Sequence, residues 1–160
     1  MSGKTPASLL IVEDNASDRE RYKRFLQRNL DYEFDFIEAE SGHDALDLVR
    51  RSVPDCLLLD YSLPDSDGLQ VLSAIQALPN DQHMPVIMLT GQGTADIAVQ
   101  AMRAGAADYL IKGSISAESL NAAVSTALRA PGGKSFAPAP RFHVLIIDDN
   151  PTDAERYRRL

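Results

Sequence analysis

The sequence contains a single cysteine, Cys56, so the chain cannot form an internal disulfide bond. Cys56 lies in an apolar run, where a buried core thiol is expected rather than a reactive one. No hydrophobic stretch approaches the length of a membrane span. The first ten residues carry one lysine and no long apolar run, so we expect no secretory signal. These absences favour a protein of the reducing cytoplasm without a membrane partner.

Positive charge is also scarce. The 160 residues include 16 lysines and arginines against 23 acids, which gives a net charge of -7. This balance argues against a nucleic-acid-binding surface, and no helix pair that would read DNA follows the main domain. A chain of this length, 44% hydrophobic, can bury one full core with a modest remainder.

Residues 56–60, Cys-Leu-Leu-Leu-Asp, form an apolar run that ends in a carboxylate. Such a run after Pro54 predicts a short strand buried on both faces, as in parallel sheets. A charge is costly inside a sheet, so Asp60 should lie at the carboxyl end of the strand, where open α/β sheets bind ligands. From this run alone, it is equally plausible that Asp60 only begins a turn.

Four other segments are predicted strands, and three of them also end in polar residues. They are residues 8–14 (ending in Glu13 and Asp14), 32–37 (alternating, an edge strand), 85–90 (ending in Thr90) and 106–112 (ending in Lys112). Helical patterns separate the segments, so the chain consists of five β-then-α units. Such units predict a doubly wound, five-stranded parallel sheet with helices on both faces. The polar ends should then meet at one edge of the sheet, which indicates a site.

The first helix shows two faces. Asn15 is its predicted cap. Its predicted core residues are Tyr22, Phe25, Leu26 and Leu30. Arg21, Arg24 and Arg28 share another face, for which solvation is the usual interpretation and partner docking the minority one.

Several other polar residues have ordinary interpretations. Asp65 and Asp67 could be metal ligands, but turn and cap roles are more common before a glycine at a helix start. His43 and His83 are predicted to be surface residues. The glycine pair Gly91 and Gly93 resembles part of a dinucleotide-binding loop, but the third glycine is missing, and we interpret the pair as a source of flexibility.

Four motifs carry a family resemblance. They are Val12-Glu13-Asp14, Leu57 to Asp60 with the loop 63–68, Leu89-Thr90-Gly91, and Gly105 to Lys112. With these motifs, in this order and at these separations, residues 8–129 resemble the receiver domain of two-component response regulators (CheY-like). The resemblance implies a flavodoxin-like fold with strand order 2-1-3-4-5.

The resemblance also implies roles for individual residues. Asp60 would accept a phosphoryl group from a phosphohistidine on a sensor histidine kinase or a histidine phosphotransfer protein. The implied Mg²⁺ ligands are Asp14, Asp60, the backbone carbonyl of Ser62 and, through water, Glu13. Lys112 would hold the phosphoryl oxygens, Thr90 would turn its hydroxyl toward them, and Tyr109 would swing inward behind it.

The implied function is a phosphoacceptor in a phosphorelay, which assists its own phosphorylation and dephosphorylation without turning over a separate substrate. The changed surface would be formed by the fourth and fifth helices and the fifth strand, and a receiver–receiver dimer is a possible partner. Asp-nucleophile hydrolases also form an aspartyl phosphate, but they need an acid where this chain has Ser62. A pseudo-receiver that only binds proteins is disfavoured because every site position is filled.

One position departs from the family. Gly113 follows Lys112, where the family usually has a proline, often with a cis bond. A cis bond before glycine costs several kcal/mol more than one before proline, so we expect a trans bond and a looser loop.

The composition changes after residue 130, which bounds a predicted receiver domain at residues 1–130. Residues 131–140 form a linker rich in proline and glycine. Residues 141–160 then repeat the start of the chain at an offset of 135, with Asp148 and Asp149 in the places of Glu13 and Asp14. We interpret them as the first strand and helix of a truncated second receiver domain, in which His143 has no visible role.

Overall fold

The computed structural model describes residues 3–79, 84–91 and 93–130. The elements in these ranges are β1 (Thr5–Val12), α1 (Ala16–Leu26), β2 (Tyr32–Ala39), α2 (Gly42–Arg51), β3 (Cys56–Asp60), α3 (Gly68–Gln76), β4 (Val86–Thr90), α4 (Ala95–Arg103), β5 (Asp108–Ile111), a 3-10 turn (Lys112–Ser114) and α5 (Ala117–Arg129). The strands form one parallel sheet in the order β2-β1-β3-β4-β5. This confirms the predicted doubly wound fold and the edge position of β2.

The sheet separates two apolar clusters, because side chains alternate between its faces along each strand. Leu57 and Leu59 of β3 pack with α2, α3 and α4 on one face. Cys56 and Leu58 pack with α1 and α5 on the other. Since β3 is central, both of its faces are buried, as its uninterrupted apolar run predicted.

Short polar side chains fix the starts of several helices. Asn15 caps α1 by accepting hydrogen bonds from the backbone N–H groups of Ser17 and Asp18. Asp67 caps α3 in the same way, and Ser116 forms a capping box with Ser119 at the start of α5. The turn interpretation of Asp67 is therefore confirmed.

The structure corrects some details of the sequence interpretation. Leu30 does not belong to the core: it is 87% exposed, because α1 ends at Leu26 and the chain turns before β2. The fifth strand is shorter than predicted, since the sheet pairing ends at Ile111 and Lys112 begins a 3-10 turn. Thr94, whose sequence position just before the fourth helical segment predicts a cap, makes no capping hydrogen bond with its side chain at the start of α4.

Other expectations are met, and some concern residues outside the described ranges. Within the described ranges all peptide bonds are trans, including Lys112–Gly113 as expected. His43 is exposed at the start of α2. His83, the linker 131–140 and the segment 141–160 lie outside the described residues. Across those that are described, we find no helix that is both long and apolar enough to cross a bilayer.

Candidate functional site

Two neighbouring strands deliver three carboxylates to the same edge of the sheet. Glu13 and Asp14 follow β1, and Asp60 is the last residue of β3, which pairs with β1. One carboxylate oxygen from each residue lies within 4.8 Å of the others. Glu13 is fully buried and Asp60 is 3% exposed, while Asp14 faces solvent. This cluster is a set of hard oxygen donors with one open side, which suits a divalent cation such as Mg²⁺.

The ammonium group of Lys112 joins this cluster from the end of β5. Its Nζ lies 2.5 Å from Oε2 of Glu13 and 2.9 Å from Oδ2 of Asp60. Asp18 of α1 is a more distant partner, with its Oδ2 at 3.8 Å. One cation therefore bridges two buried acids that come from different strands.

Burial and hydrogen bonding act against each other on the pKa values of Glu13 and Lys112. Burial raises the pKa of Glu13 to about 7, although the hydrogen bonds from Lys112 and from the Asn15 backbone act against it. Burial alone would lower the pKa of Lys112, but its hydrogen bonds with Glu13 and Asp60 outweigh that effect and raise it. Lys112 is thus held as a cation.

Backbone contacts hold Asp60 in place. Its Oδ1 accepts a hydrogen bond from the Ser62 N–H at 3.2 Å. The N–H of Tyr61, the residue directly after Asp60, donates to the Leu89 carbonyl of β4 at 2.7 Å. A Cβ atom at Gly68 would lie only 2.7 Å from the Asp60 carbonyl oxygen, so the start of α3 approaches β3 as closely as glycine allows.

Thr90 and Tyr109 form a second group, on strands β4 and β5 of the same sheet. Thr90 ends β4, one residue beyond Leu89, which is the register partner of Asp60. Side-chain alternation assigns Thr90 to the sheet face that packs with α4, whereas Asp60 belongs to the opposite face. Burial raises the pKa of the half-buried Tyr109, while a side-chain hydrogen bond with Thr90 opposes that rise. The structure therefore brings these two residues together as a pair.

Two arginines of α1 hold the backbone of the site, a role that the sequence did not indicate for either of them. Arg19 of α1 donates from Nη1 to the Glu13 carbonyl at 2.7 Å and to the Asp14 carbonyl at 3.2 Å. Arg21 donates from Nη2 to the Lys112 carbonyl at 3.2 Å, so it is not part of the solvated face predicted for it.

Comparisons with known proteins agree with this geometry. The family described as "Response regulator receiver domain" matches residues 9–125. The chain is 39% identical to the regulatory protein LuxO of Vibrio vulnificus over 119 residues, which cover 74% of this chain and 25% of that protein. It is 35% identical to the transcriptional regulatory protein SrrA of Staphylococcus aureus over 104 residues, covering 65% of this chain and 41% of SrrA. The chain thus spans about a quarter of LuxO and two fifths of SrrA.

Solved structures give the same result. A response regulator from Chloroflexus aurantiacus superimposes with a TM-score of 0.69 at 33% identity, covering 78% of this chain and 98% of that one. The signal receiver domain of a LuxO repressor protein from Vibrio parahaemolyticus also gives 0.69, at 36% identity and with 77% and 90% coverage.

Proposed function

Because the chain belongs to the response regulator receiver domain family of two-component signalling, we propose that Asp60 is its phosphoacceptor. The observation that carries the proposal is that Asp60 lies next to both the acids that follow β1 and the ammonium group of Lys112. A nucleophilic carboxylate needs a fixed position and a nearby positive charge, and both are present here.

The proposed reaction moves a phosphoryl group from a phosphohistidine to Asp60. A carboxylate oxygen of Asp60 attacks phosphorus, the new O–P bond forms and the P–N bond breaks. The imidazole of the donor leaves and takes up a proton from water. Hydrolysis of the resulting acyl phosphate by water restores the carboxylate and releases inorganic phosphate.

A Mg²⁺ ion would be held by Asp14 and Asp60, by the Ser62 backbone carbonyl and, through water, by Glu13. Bound Mg²⁺ supplies the charge that offsets repulsion between the carboxylate and the phosphoryl oxygens. The residues fit the ion, since three of these four positions offer carboxylate oxygens within 4.8 Å of one another.

Three other side chains respond to the new group. Lys112 donates to the phosphoryl oxygens from the side of β5. Thr90 turns its hydroxyl toward the phosphoryl group, and Tyr109, already its hydrogen-bond partner, moves inward behind it. The surface formed by α4, β5 and α5 therefore has two conformations, and the charge added at Asp60 favours one of them.

The proposed partners are a sensor histidine kinase or a histidine phosphotransfer protein. The same α4, β5 and α5 surface is a candidate for a receiver–receiver dimer, because Val99 and Ile111 expose apolar area there. The domain assists its own phosphorylation and dephosphorylation and has no other substrate. The free, buried thiol of Cys56 supports a cytoplasmic location.

We also propose that this receiver is followed by a second one. The support is the repeat of residues 9–24 at 144–159, which includes an acid pair at Asp148 and Asp149. Residues 1–130 would be the first receiver domain and residues 131–140 the linker.

The direct test is phosphorylation of the full chain with acetyl phosphate and Mg²⁺. Intact-mass and peptide spectra should show one phosphoryl group, located on Asp60. Asp60→Asn should take up none, while Asp35→Asn, at an exposed position on β2, should behave like the wild type. A wild-type chain that gains no phosphoryl group, or gains it at another residue, would contradict the proposal.

A further inference from the structure

The sheet does not fix the backbone of Lys112. The last pair between β4 and β5 is Thr90 with Ile111, so Lys112 lies one residue beyond the ladder. The hydrogen bond that closes its 3-10 turn is long, with the Ile115 nitrogen 3.5 Å from the Lys112 carbonyl oxygen. Gly113 adds no packing, since a Cβ atom there would meet nothing within 4 Å. The sheet and the turn therefore hold the backbone of Lys112 only weakly.

A further contact with this backbone comes from Arg21 on α1. Its Nη2 lies 3.2 Å from the Lys112 carbonyl oxygen, which is closer than the bond within the turn. The guanidinium lies over the Tyr22 ring, 5.5 Å from its centroid, and this ring is fully buried. Asp18 lies on the other side, 4.0 Å from Arg21. Arg21 is therefore itself held by core and charge contacts on a rigid helix.

We propose that Arg21 is a positioning residue: it fixes the Lys112 backbone so that the ammonium group lies at Asp60. The inference rests on the proposed function of Asp60. Among the described contacts Arg21 has none with the carboxylates of Glu13, Asp14 or Asp60, so its effect on Asp60 is transmitted through Lys112. It substitutes for the rigidity that a proline after the lysine would supply and that Gly113 does not.

The expected effect follows from geometry. A flexible lysine stem can still reach Asp60 when its backbone moves, but the ammonium then spends less time in the productive position. Misplacement by about 1 Å can cost up to about 100-fold in rate. We therefore expect Arg21→Ala to slow phosphorylation roughly 3-fold to 30-fold, a smaller loss than removal of the ammonium itself.

The matched control is Arg24→Ala, because Arg24 is an exposed arginine in the last turn of the same helix. Initial rates with acetyl phosphate and saturating Mg²⁺ should match the wild type for Arg24→Ala and fall for Arg21→Ala. Arg21→Lys, which keeps a donor and the charge, should recover part of the loss. Equal rates for Arg21→Ala and the wild type would overturn the proposal.

A double-mutant cycle separates positioning from a general structural effect. In a Lys112→Ala background there is no ammonium to position, so adding Arg21→Ala should change the rate less than 2-fold. If Arg21→Ala causes the same loss in both backgrounds, Arg21 acts independently of Lys112 and the proposal fails.

A readout without metal or phosphate tests Arg21 even if the phosphoacceptor proposal fails. In metal-free protein, ¹⁵N relaxation should show a lower order parameter for the Gly113 amide in Arg21→Ala than in Arg24→Ala. An unchanged Gly113 amide would overturn the positioning role. A wild-type chain that takes up no phosphoryl group, together with a mobile Gly113 in Arg21→Ala, would instead refute the proposed function and leave the contact between Arg21 and the loop established.

Discussion

The ammonium nitrogen of Lys112 lies 2.9 Å from a carboxylate oxygen of Asp60, although the two residues come from β3 and from the end of β5. The same nitrogen contacts Glu13 at 2.5 Å. Two buried acids thus share one cation, which offsets part of the cost of burying their charges. The arrangement therefore supports the fold as well as the proposed chemistry.

Replacing Lys112 should destabilise the protein when no divalent cation is present. Lys112→Met leaves Glu13 and Asp60 buried without their cation, and loss of one partner of a buried pair costs about 3–5 kcal/mol. Because the Lys112 side chain is 19% exposed, we expect a loss of about 2–4 kcal/mol. Urea unfolding at pH 8 with a chelator measures it. Lys4→Met, at an exposed position, should change stability little, and equal effects of the two variants would contradict the prediction.

Metal-free stability should also fall as the pH rises through the titration of Glu13. Burial raises the pKa of Glu13 from 4.5 to about 7. Between these values the native state holds a proton that the unfolded state has lost, so the free energy of unfolding decreases with rising pH, by up to about 3 kcal/mol. Urea titrations from pH 4.5 to 7.5 measure this slope. Glu13→Gln should remove it and Glu33→Gln, on the exposed side of β2, should keep it; a slope that persists in Glu13→Gln would assign it to another group.

Most of the fold could be predicted because its signals are local. The run from Cys56 to Asp60 combines length, hydrophobicity and a terminal charge, which together are typical of a central strand of a parallel sheet, and the polar ends of the other strands indicated that Asp60 is more than the start of a turn. The approach of Glu13, Asp60 and Lys112 then follows from topology, since parallel strands end at one edge. Exposed Leu30 was placed wrongly because helical periodicity carries no information on where a helix ends.

The contacts that support the site could not be predicted from the sequence. The bond from Arg21 joins residues 91 positions apart, and it depends on where the loop after β5 runs rather than on any pattern within α1. The same limitation applies to Asp65. Its neighbours in sequence predicted a turn, but its carboxylate accepts hydrogen bonds from the N–H groups of Gly42 and His43 at the start of α2.

Asp65→Asn should weaken the attachment of the loop after β3 to α2. The hydrogen bonds from Gly42 and His43 lower the pKa of Asp65, so its stabilising contribution is present above about 3.8 and is lost as the pH falls through the lower folded value. We expect the variant to be less stable than the wild type at pH 6 and the difference to narrow at acid pH. Thermal unfolding across this range measures it. A difference that is independent of pH would show that the charge of Asp65 is unimportant, and Asp35→Asn is the exposed control.

Adding one methyl group should lower the stability of the protein at Gly68 but not at Gly113. In Gly68→Ala the new Cβ would lie 2.7 Å from the Asp60 carbonyl oxygen and 2.8 Å from the Met88 sulfur, so β3 and α3 must separate. Such overpacking costs about 1–3 kcal/mol. Because the shift falls on the backbone of Asp60, phosphorylation by acetyl phosphate should slow as well. Gly113→Ala meets open space and should stay within about 0.5 kcal/mol of the wild type. Urea unfolding of both variants measures the contrast, and a stable Gly68→Ala with normal phosphorylation would show that β3 and α3 separate at little cost and that Asp60 tolerates the shift.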